Sequence, residues 1–259
     1  MYRKLCREET EKIHTSGVIG SKVVYFESLT STFDKIRTLD FQNGLTVVCS
    51  RQSDGTGRMG RNWESGEGGI YFTFAMEHTR RDFDVPFITS VCALAVCNVL
   101  SEYVPCKIKW PNDIVSDGKK LCGILTKNYV SDGKVNQIHV GIGINANNTF
   151  SQNLPYASYL FLICGERVDE NAILKKVLEE ADRIYADESH AQILEDYKKL
   201  CINLGREVTL CFDGKETKGI CKDILPDGSM EVETEGKTIC VNSGEVSVKG
   251  IYSQRGNIT

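Results

Sequence analysis

The sequence predicts an α+β protein of two unequal parts, a larger one over residues 1–203 and a smaller all-β one over residues 204–259. Three observations predict it. Strand and helix patterns are mixed along the first part rather than alternating regularly. An apolar run from Phe87 to Leu100 carries Thr89, Ser90 and Asn98, is too short to span a bilayer and reads as a buried helix. From Arg206 onward, short strand candidates recur between turn signals, the spacing of a small barrel.

In chain order, a charged stretch over residues 4–14 reads as helix and residues 22–26 as strand. Thr30, Ser31 and Thr32 supply capping hydroxyls for a helix over 33–39. Residues 45–50 and 69–76 read as strands, the second alternating Ile70, Phe72 and Phe74 with Tyr71, Thr73 and Ala75. The buried helix covers about 85–103 and is followed by short strands near 107–110 and 114–116. Two longer strands, 120–130 and 134–144, read as a hairpin, with turn signals at Ser116-Asp117-Gly118 and Ser131-Asp132-Gly133. Helical spacing covers 171–186 and 190–200, the first with Ile173, Leu174, Val177, Leu178, Ala181 and Ile184 on one face. The strand candidates of the small part are 208–212, 217–224, 229–233, 237–241 and 244–248, broken by Asp213-Gly214, Pro226-Asp227-Gly228 and Glu235-Gly236.

The chain has 259 residues, is 41% hydrophobic and 25% charged, and carries a net charge of −4, so it has no overall signature of a nucleic-acid or anionic-membrane binder. Its eleven cysteines are scattered singly and form no C-x-x-C pair, which leaves a zinc or thioredoxin-type site unsupported. Free thiols and a polar, charged opening (Met1 to Thr15) without a secretion signal place the chain in a reducing cytoplasm.

The chemistry is concentrated in local motifs. Gly55-Thr56-Gly57-Arg58-Met59-Gly60-Arg61-Asn62-Trp63 combines glycines that let backbone approach a ligand with guanidinium forks that suit phosphate or carboxylate. Lys109-Trp110-Pro111-Asn112-Asp113, Lys120-Leu121-Cys122-Gly123-Ile124-Leu125 and Val140-Gly141-Ile142-Gly143-Ile144-Asn145-Ala146-Asn147 follow. Lys119 and Lys120 point to opposite faces of their strand, so only one can face a site. The glycines of the last segment either make room for a ligand or mark a tightly packed central strand.

In order and spacing these four segments, with Ser31-Thr32 and Gln52 upstream, resemble the biotin–protein ligases from about Val23 to Lys249. The resemblance implies a mixed-sheet catalytic domain of the biotin/lipoate ligase type and an SH3-like C-terminal barrel. It also implies two steps: activation of biotin by ATP to biotinyl-5′-AMP, then transfer to a lysine of a biotin carboxyl carrier domain. It makes Lys120 the bridge between the biotin carboxylate and the α-phosphate, Arg58 and Arg61 the loop cations, and Asp113, the candidate Mg²⁺ ligand, also the group that orients or deprotonates the acceptor lysine. Gly55, Gly57 and Gly60 permit loop closure, and Trp63 packs on the ligand or anchors the next strand. Ser31, Thr32 and Gln52 meet the ureido ring, although the first two also fit a helix cap. Trp110 lies near adenine, Asn112 fixes local backbone, Lys109 is a phosphate contact or a solvated strand end, and Gly123, Gly141, Gly143 and Asn145 complete the substrate site.

The pattern is not perfect. Phe33 stands where the family usually has Asn, and Thr56 where the loop usually has Arg. Weaker retention of the adenylate follows, seen as faster biotinyl-AMP release than from a Thr56→Arg variant. Too few residues precede the first core strand for a DNA-binding helix-turn-helix, so no operator binding is expected, and a gel shift checks this. A monomer or a homodimer is expected, Gly141–Ile144 read as an edge strand being the hint of a dimer. A lipoate or octanoate ligase and a non-catalytic biotin or adenylate sensor are the alternative readings; the sequence has no Arg-Arg-x-Ser-Gly-Gly-Gly segment of the lipoate type.

Overall fold

The computed structural model describes residues 2–77, 87–131, 134–150, 154–212, 215–242 and 245–248. A short helix α1 (Arg7–Thr10) precedes β1 (Lys22–Leu29), α2 (Thr32–Ile36) and β2 (Leu45–Gln52). β1 and β2 run parallel, joined across α2. Then come β3 (Ile70–Glu77), α3 (Phe87–Leu100), β4 (Lys107–Lys109), β5 (Asp113–Ser116), β6 (Lys119–Ser131) and β7 (Lys134–Ile144). These strands make a seven-stranded mixed sheet in the order β1-β2-β3-β7-β6-β5-β4. The long hairpin is present, β6 pairing antiparallel with β7. The turn expected at Ser131-Asp132-Gly133 and the start of the helix before Phe87 lie outside the described residues.

The two sheet faces have different fates. One carries the main core, where α3 is buried nearly all round, with α5 (Glu170–Asp187) and α6 (His190–Leu200) packed on it. The apolar stripe of α5 is buried, and Asp169 and Ser189 cap α5 and α6 through Ala172 N and Gln192 N. Among the described residues the other face carries only α2, whose Ile36 joins Leu45, Val47 and Ala75 in a small cluster. The uncovered remainder of that face is the floor of a cleft. A short helix α4 (Leu160–Cys164), closed by Gly165 at φ 78°, went unread in the sequence because its five residues show no period.

Two expectations need correction. The helix read over residues 4–14 shrinks to α1, because tertiary bonds hold the flanking backbone: Leu5 N donates to Glu170 Oε2 at 2.9 Å and Asn171 Nδ2 to Lys4 O at 2.7 Å. Gly141–Ile144 is not an edge strand. β7 is hydrogen-bonded to β3 on one side and β6 on the other, so it offers no free backbone for a dimer.

The small part is β8 (Glu207–Phe212), β9 (Lys215–Ile224), β10 (Met230–Thr234), β11 (Lys237–Val241) and β12 (Glu245–Val248), a five-stranded antiparallel sheet in the order β11-β10-β9-β8-β12, of the SH3-like kind. Its turn at Asp213-Gly214 lies outside the described residues. It is fastened to the first part around the fully buried Asn203. Asn203 Oδ1 accepts from Trp110 N at 2.8 Å, and Trp110 Nε1 donates to Gly228 O at 2.9 Å. Ile202 N donates to Ile108 O at 2.9 Å. Trp110→Phe removes one donor and leaves a half-buried carbonyl without it, so a loss of about 1–2 kcal/mol is expected in urea unfolding. No helix of the described residues is long and apolar enough to cross a membrane.

Candidate functional site

The open face of the mixed sheet carries a cleft of about 770 Å³. Its floor is set by strand alternation: Gly123 faces Gly143 and Leu125 faces Gly141 across the β6–β7 pair. Its walls are the N-terminus of α2, the loop after β2, the β4–β5 turn, residues 154–157 and part of β8, β9 and β12. Of the residues singled out in the sequence, Ser31, Thr32, Gln52, Gly57, Arg58, Arg61, Trp63, Lys109, Trp110, Asn112, Asp113, Lys120, Gly123, Gly141, Gly143 and Asn145 all line it. Gly55 and Gly60 do not. A Cβ on Gly55 would lie 2.5 Å from Trp63 O, and Gly60 takes φ 73° at the loop tip, so both shape the loop.

The loop is held by its own backbone: Gly57 N donates to Arg61 O and Trp63 N to Gly55 O, both at 2.7 Å. Met59, at φ 56°, stands at its tip and is exposed. Arg58 reaches across the cleft and donates to Asn112 Oδ1 at 2.9 Å. Asn112 Nδ2 in turn donates to Ile124 O at 2.8 Å, so loop, turn and floor are tied in one chain of bonds. Burial lowers the pKa of Arg58, with the nearby Asp113 opposing the shift.

Lys120 Nζ lies 2.6 Å from Asp113 Oδ1 and 5.1 Å from the centroid of the Trp63 ring. β7 ends before it can pair with Lys120. Tyr156 and Ser158 take over, Tyr156 O accepting from Lys120 N at 2.7 Å and Ser158 N donating to Lys120 O at 3.0 Å. Lys119 is exposed, so the alternation selects Lys120. Lys109 pairs across β4–β5 with Asp113 and is buried, with a pKa lowered by that burial; it is not a solvated strand end. Four cations, Arg58, Arg61, Lys109 and Lys120, therefore meet Asp113, Glu64 and Glu216 in the cleft lining. The cations exceed these carboxylates by one, an excess that favours anions brought into the cleft.

Trp63 lies over the glycines. A Cβ at Gly143 would come within 2.5 Å of its Nε1, and one at Gly123 within 2.9 Å of its Cζ3. Its Nε1 is buried with no hydrogen-bond partner. The ring belongs to the cleft lining rather than to the core. Trp110 is nearly fully buried and lines the cleft with one edge fixed to Gly228.

At the other end the hydrogen-bond polarity is determined. Gln52 Oε1 accepts from Thr32 N at 2.8 Å and from Thr32 Oγ1 at 3.1 Å, while Gln52 Nε2 donates to Ser65 Oγ at 2.8 Å. The single proton of the Thr32 hydroxyl is thus committed, and the 2.8 Å contact between the Thr32 and Thr73 hydroxyls must be donated by Thr73. Thr32 Oγ1 keeps one lone pair and offers an acceptor, suited to a ligand N–H. Ser31 caps α2, its Oγ accepting from Phe33 N at 3.1 Å.

Sequence reasoning missed Thr73, Phe150, Leu154, Tyr156 and the barrel residues Thr209, Cys211 and Val246, all of which line the cleft. Alternation on β3 put Thr73 on the face of Tyr71, but only the pairing with Gly141 shows that this is the cleft face. Phe150, Leu154 and Tyr156 lie outside the helices and strands, where no period exists to read.

His139 lies on the same face of β7 beyond Gly141, its ring tilted at 45° against that of Tyr129 with the centroids 4.3 Å apart. Burial, and next the charge of Arg37, push its pKa down to about 4. The folded protein therefore binds fewer protons here than the unfolded chain between pH 6.5 and about 4. Its contribution is full above the unfolded value and is lost as pH falls towards the folded one, up to about 3 kcal/mol. A His139→Gln variant is expected to flatten the fall of unfolding free energy over that window.

Comparison with known proteins gives consistent matches. Residues 23–145 match the model of the biotin/lipoate A/B protein ligase family, and residues 204–249 that of the biotin protein ligase C terminal domain. The chain is 33% identical over 194 residues to the bifunctional ligase/repressor BirA of Bacillus subtilis, covering 71% of this chain and 60% of that protein. It is 26% identical over 220 residues to the biotin–[acetyl-CoA-carboxylase] ligase of Mycobacterium tuberculosis, covering 79% of each. The structure resembles that of biotin protein ligase from Aquifex aeolicus in complex with biotin and ATP, with a TM-score of 0.76 and 28% identity over 87% of this chain and 97% of that one.

Proposed function

The chain belongs to the biotin/lipoate A/B protein ligase family, and on that premise we propose that it activates biotin with ATP and passes the biotinyl group to one lysine of a carboxyl carrier domain. The observation that carries the reading is the Lys120–Asp113 pair at 2.6 Å, set between the glycine floor and Arg58. In the first step the biotin carboxylate approaches the α-phosphate of ATP, and the two anions repel. Lys120 Nζ can leave Asp113 to bridge them, while Arg58 and Lys109 offset the phosphate charge. Asp113, released from Lys120, can then accept a proton from the acceptor lysine as its amine attacks the anhydride carbonyl, the acyl–phosphate bond breaks and AMP leaves.

A magnesium ion brought by the triphosphate would be held by phosphate oxygens with Asp113 as its one protein carboxylate, a donor set that suits Mg²⁺. Among the described residues no group of three or more His, Cys, Asp or Glu forms a closed metal site. The acceptor at Thr32 favours biotin over lipoate, because the ureido ring carries N–H donors and the dithiolane has none. We place the division of labour near residue 203, with the barrel closing one wall of the cleft. The eleven free cysteines suit a reducing cytoplasm.

The test is a mass shift. Protein, Mg-ATP, biotin and an apo carboxyl carrier domain are expected to give one biotinyl addition on the carrier. No addition with biotin but one with lipoate would transfer the reading to lipoate. Ligand binding without pyrophosphate release would make the protein a sensor.

A further inference from the structure

We infer that Phe33 is the end wall of the substrate cleft and sets the size of the ring the cleft accepts; the inference rests on the biotin reading above. The cleft floor is one face of β7, on which positions 143, 141 and 139 follow at two-residue steps of roughly 6–7 Å. Trp63 lies over Gly143 and Phe33 over Gly141, where an added Cβ would come within 2.7 Å of the Phe33 ring. His139, the third position, is not part of the cleft lining, whereas Phe33 is. The Phe33 and His139 rings are 6.3 Å apart, so Phe33 stands between the cleft and the buried imidazole.

The wall is fixed. Phe33 follows the Ser31 cap by two residues, is 6% exposed, and has Lys127 Nζ 4.9 Å from its ring centroid. A carboxylate held at Lys120 starts the ligand at the Gly123–Gly143 end. An acid anchored there passes the Trp63 ring, which covers Gly123 and Gly143, and places its far ring against Phe33. For biotin that far end is the ureido ring, whose N–H groups meet Thr32. Bulk on a ureido nitrogen therefore collides with Phe33, and removing the ring joins the cleft to the space beside His139, whose Nδ1 is buried without a hydrogen-bond partner.

Calorimetric dissociation constants for biotin and for a biotin carrying an N-benzyl group on the ureido ring test this without requiring turnover. The full chain is expected to prefer biotin by at least 100-fold, and Phe33→Ala to narrow that ratio by at least tenfold. Gly141→Ala is expected to push the Phe33 ring into the cleft and weaken biotin at least tenfold, and the double variant Gly141→Ala/Phe33→Ala to recover the affinity of Phe33→Ala alone. Phe33→Leu, which keeps an apolar side chain in place, gives an intermediate ratio and stands in if Phe33→Ala does not fold. An unchanged ratio in the Phe33 variants, or no rescue in the double variant, overturns the wall. A wild-type chain that binds lipoate and not biotin overturns the functional reading instead, and the rescue is then read with lipoate.

Discussion

Replacing Lys120 by alanine is expected to lower biotin-dependent pyrophosphate release by two or more orders of magnitude, with a smaller effect on biotin affinity. The asymmetry follows from where the charge is needed. In the resting protein Lys120 is already neutralised by Asp113 at 2.6 Å, and both side chains are mostly shielded from water. In the proposed reaction its charge becomes uncompensated only when it turns to the carboxylate and phosphate, so its stabilisation is greatest as they meet. Alanine also leaves the Asp113 carboxylate beside two further anions, which adds repulsion to the lost attraction. Steady-state release at saturating ATP measures the variant, and Lys120→Ala activity within about threefold of wild type removes Lys120 from the mechanism.

What the sequence disclosed and what it hid divide along physical lines. Long periodic segments were readable: the apolar face of α5, the β6–β7 hairpin and the buried α3 all lie where their patterns placed them. Alternation left Lys119 and Lys120 as alternatives and the motif resemblance chose Lys120, which the structure places in the cleft lining beside Asp113. The place of β7 was left open between an edge and a central strand, because alternation tells which way side chains point and not which strands lie beside them. The same limit hid Thr73, which acquires its meaning from Thr32 and Gly141, remote in sequence and adjacent in the fold. Trp110 shows the limit from the other side. Its motif pointed to the ligand, and the structure adds a bond to Gly228 that no local pattern contains.

Arg58→Ala is expected to weaken biotin binding at least tenfold and to release free biotinyl-AMP during turnover. Arg58 is largely removed from water, a loss that lowers its pKa, and its Nη1 bond at 2.9 Å goes to the neutral amide of Asn112. A neutral partner fixes the direction of the guanidinium without cancelling its charge, which stays available to an anion in the cleft. Asn112 is itself tied to β6 in both directions, by its side chain to Ile124 O and by its carbonyl to Ile124 N, so the aim of Arg58 is set by the floor on which the ligand rests. On the proposed reading, removing the arginine deletes an anion contact and also unties the loop from Asn112, and affinity and retention should fall together. Arg58→Lys separates the two effects: a point charge can restore some affinity, but without the fork it cannot hold Asn112 and an anion together, so leakage should persist. Calorimetry for biotin and chromatography for free adenylate give the two readouts. Unchanged affinity with no leakage in Arg58→Ala would count against the loop as the cover of the site.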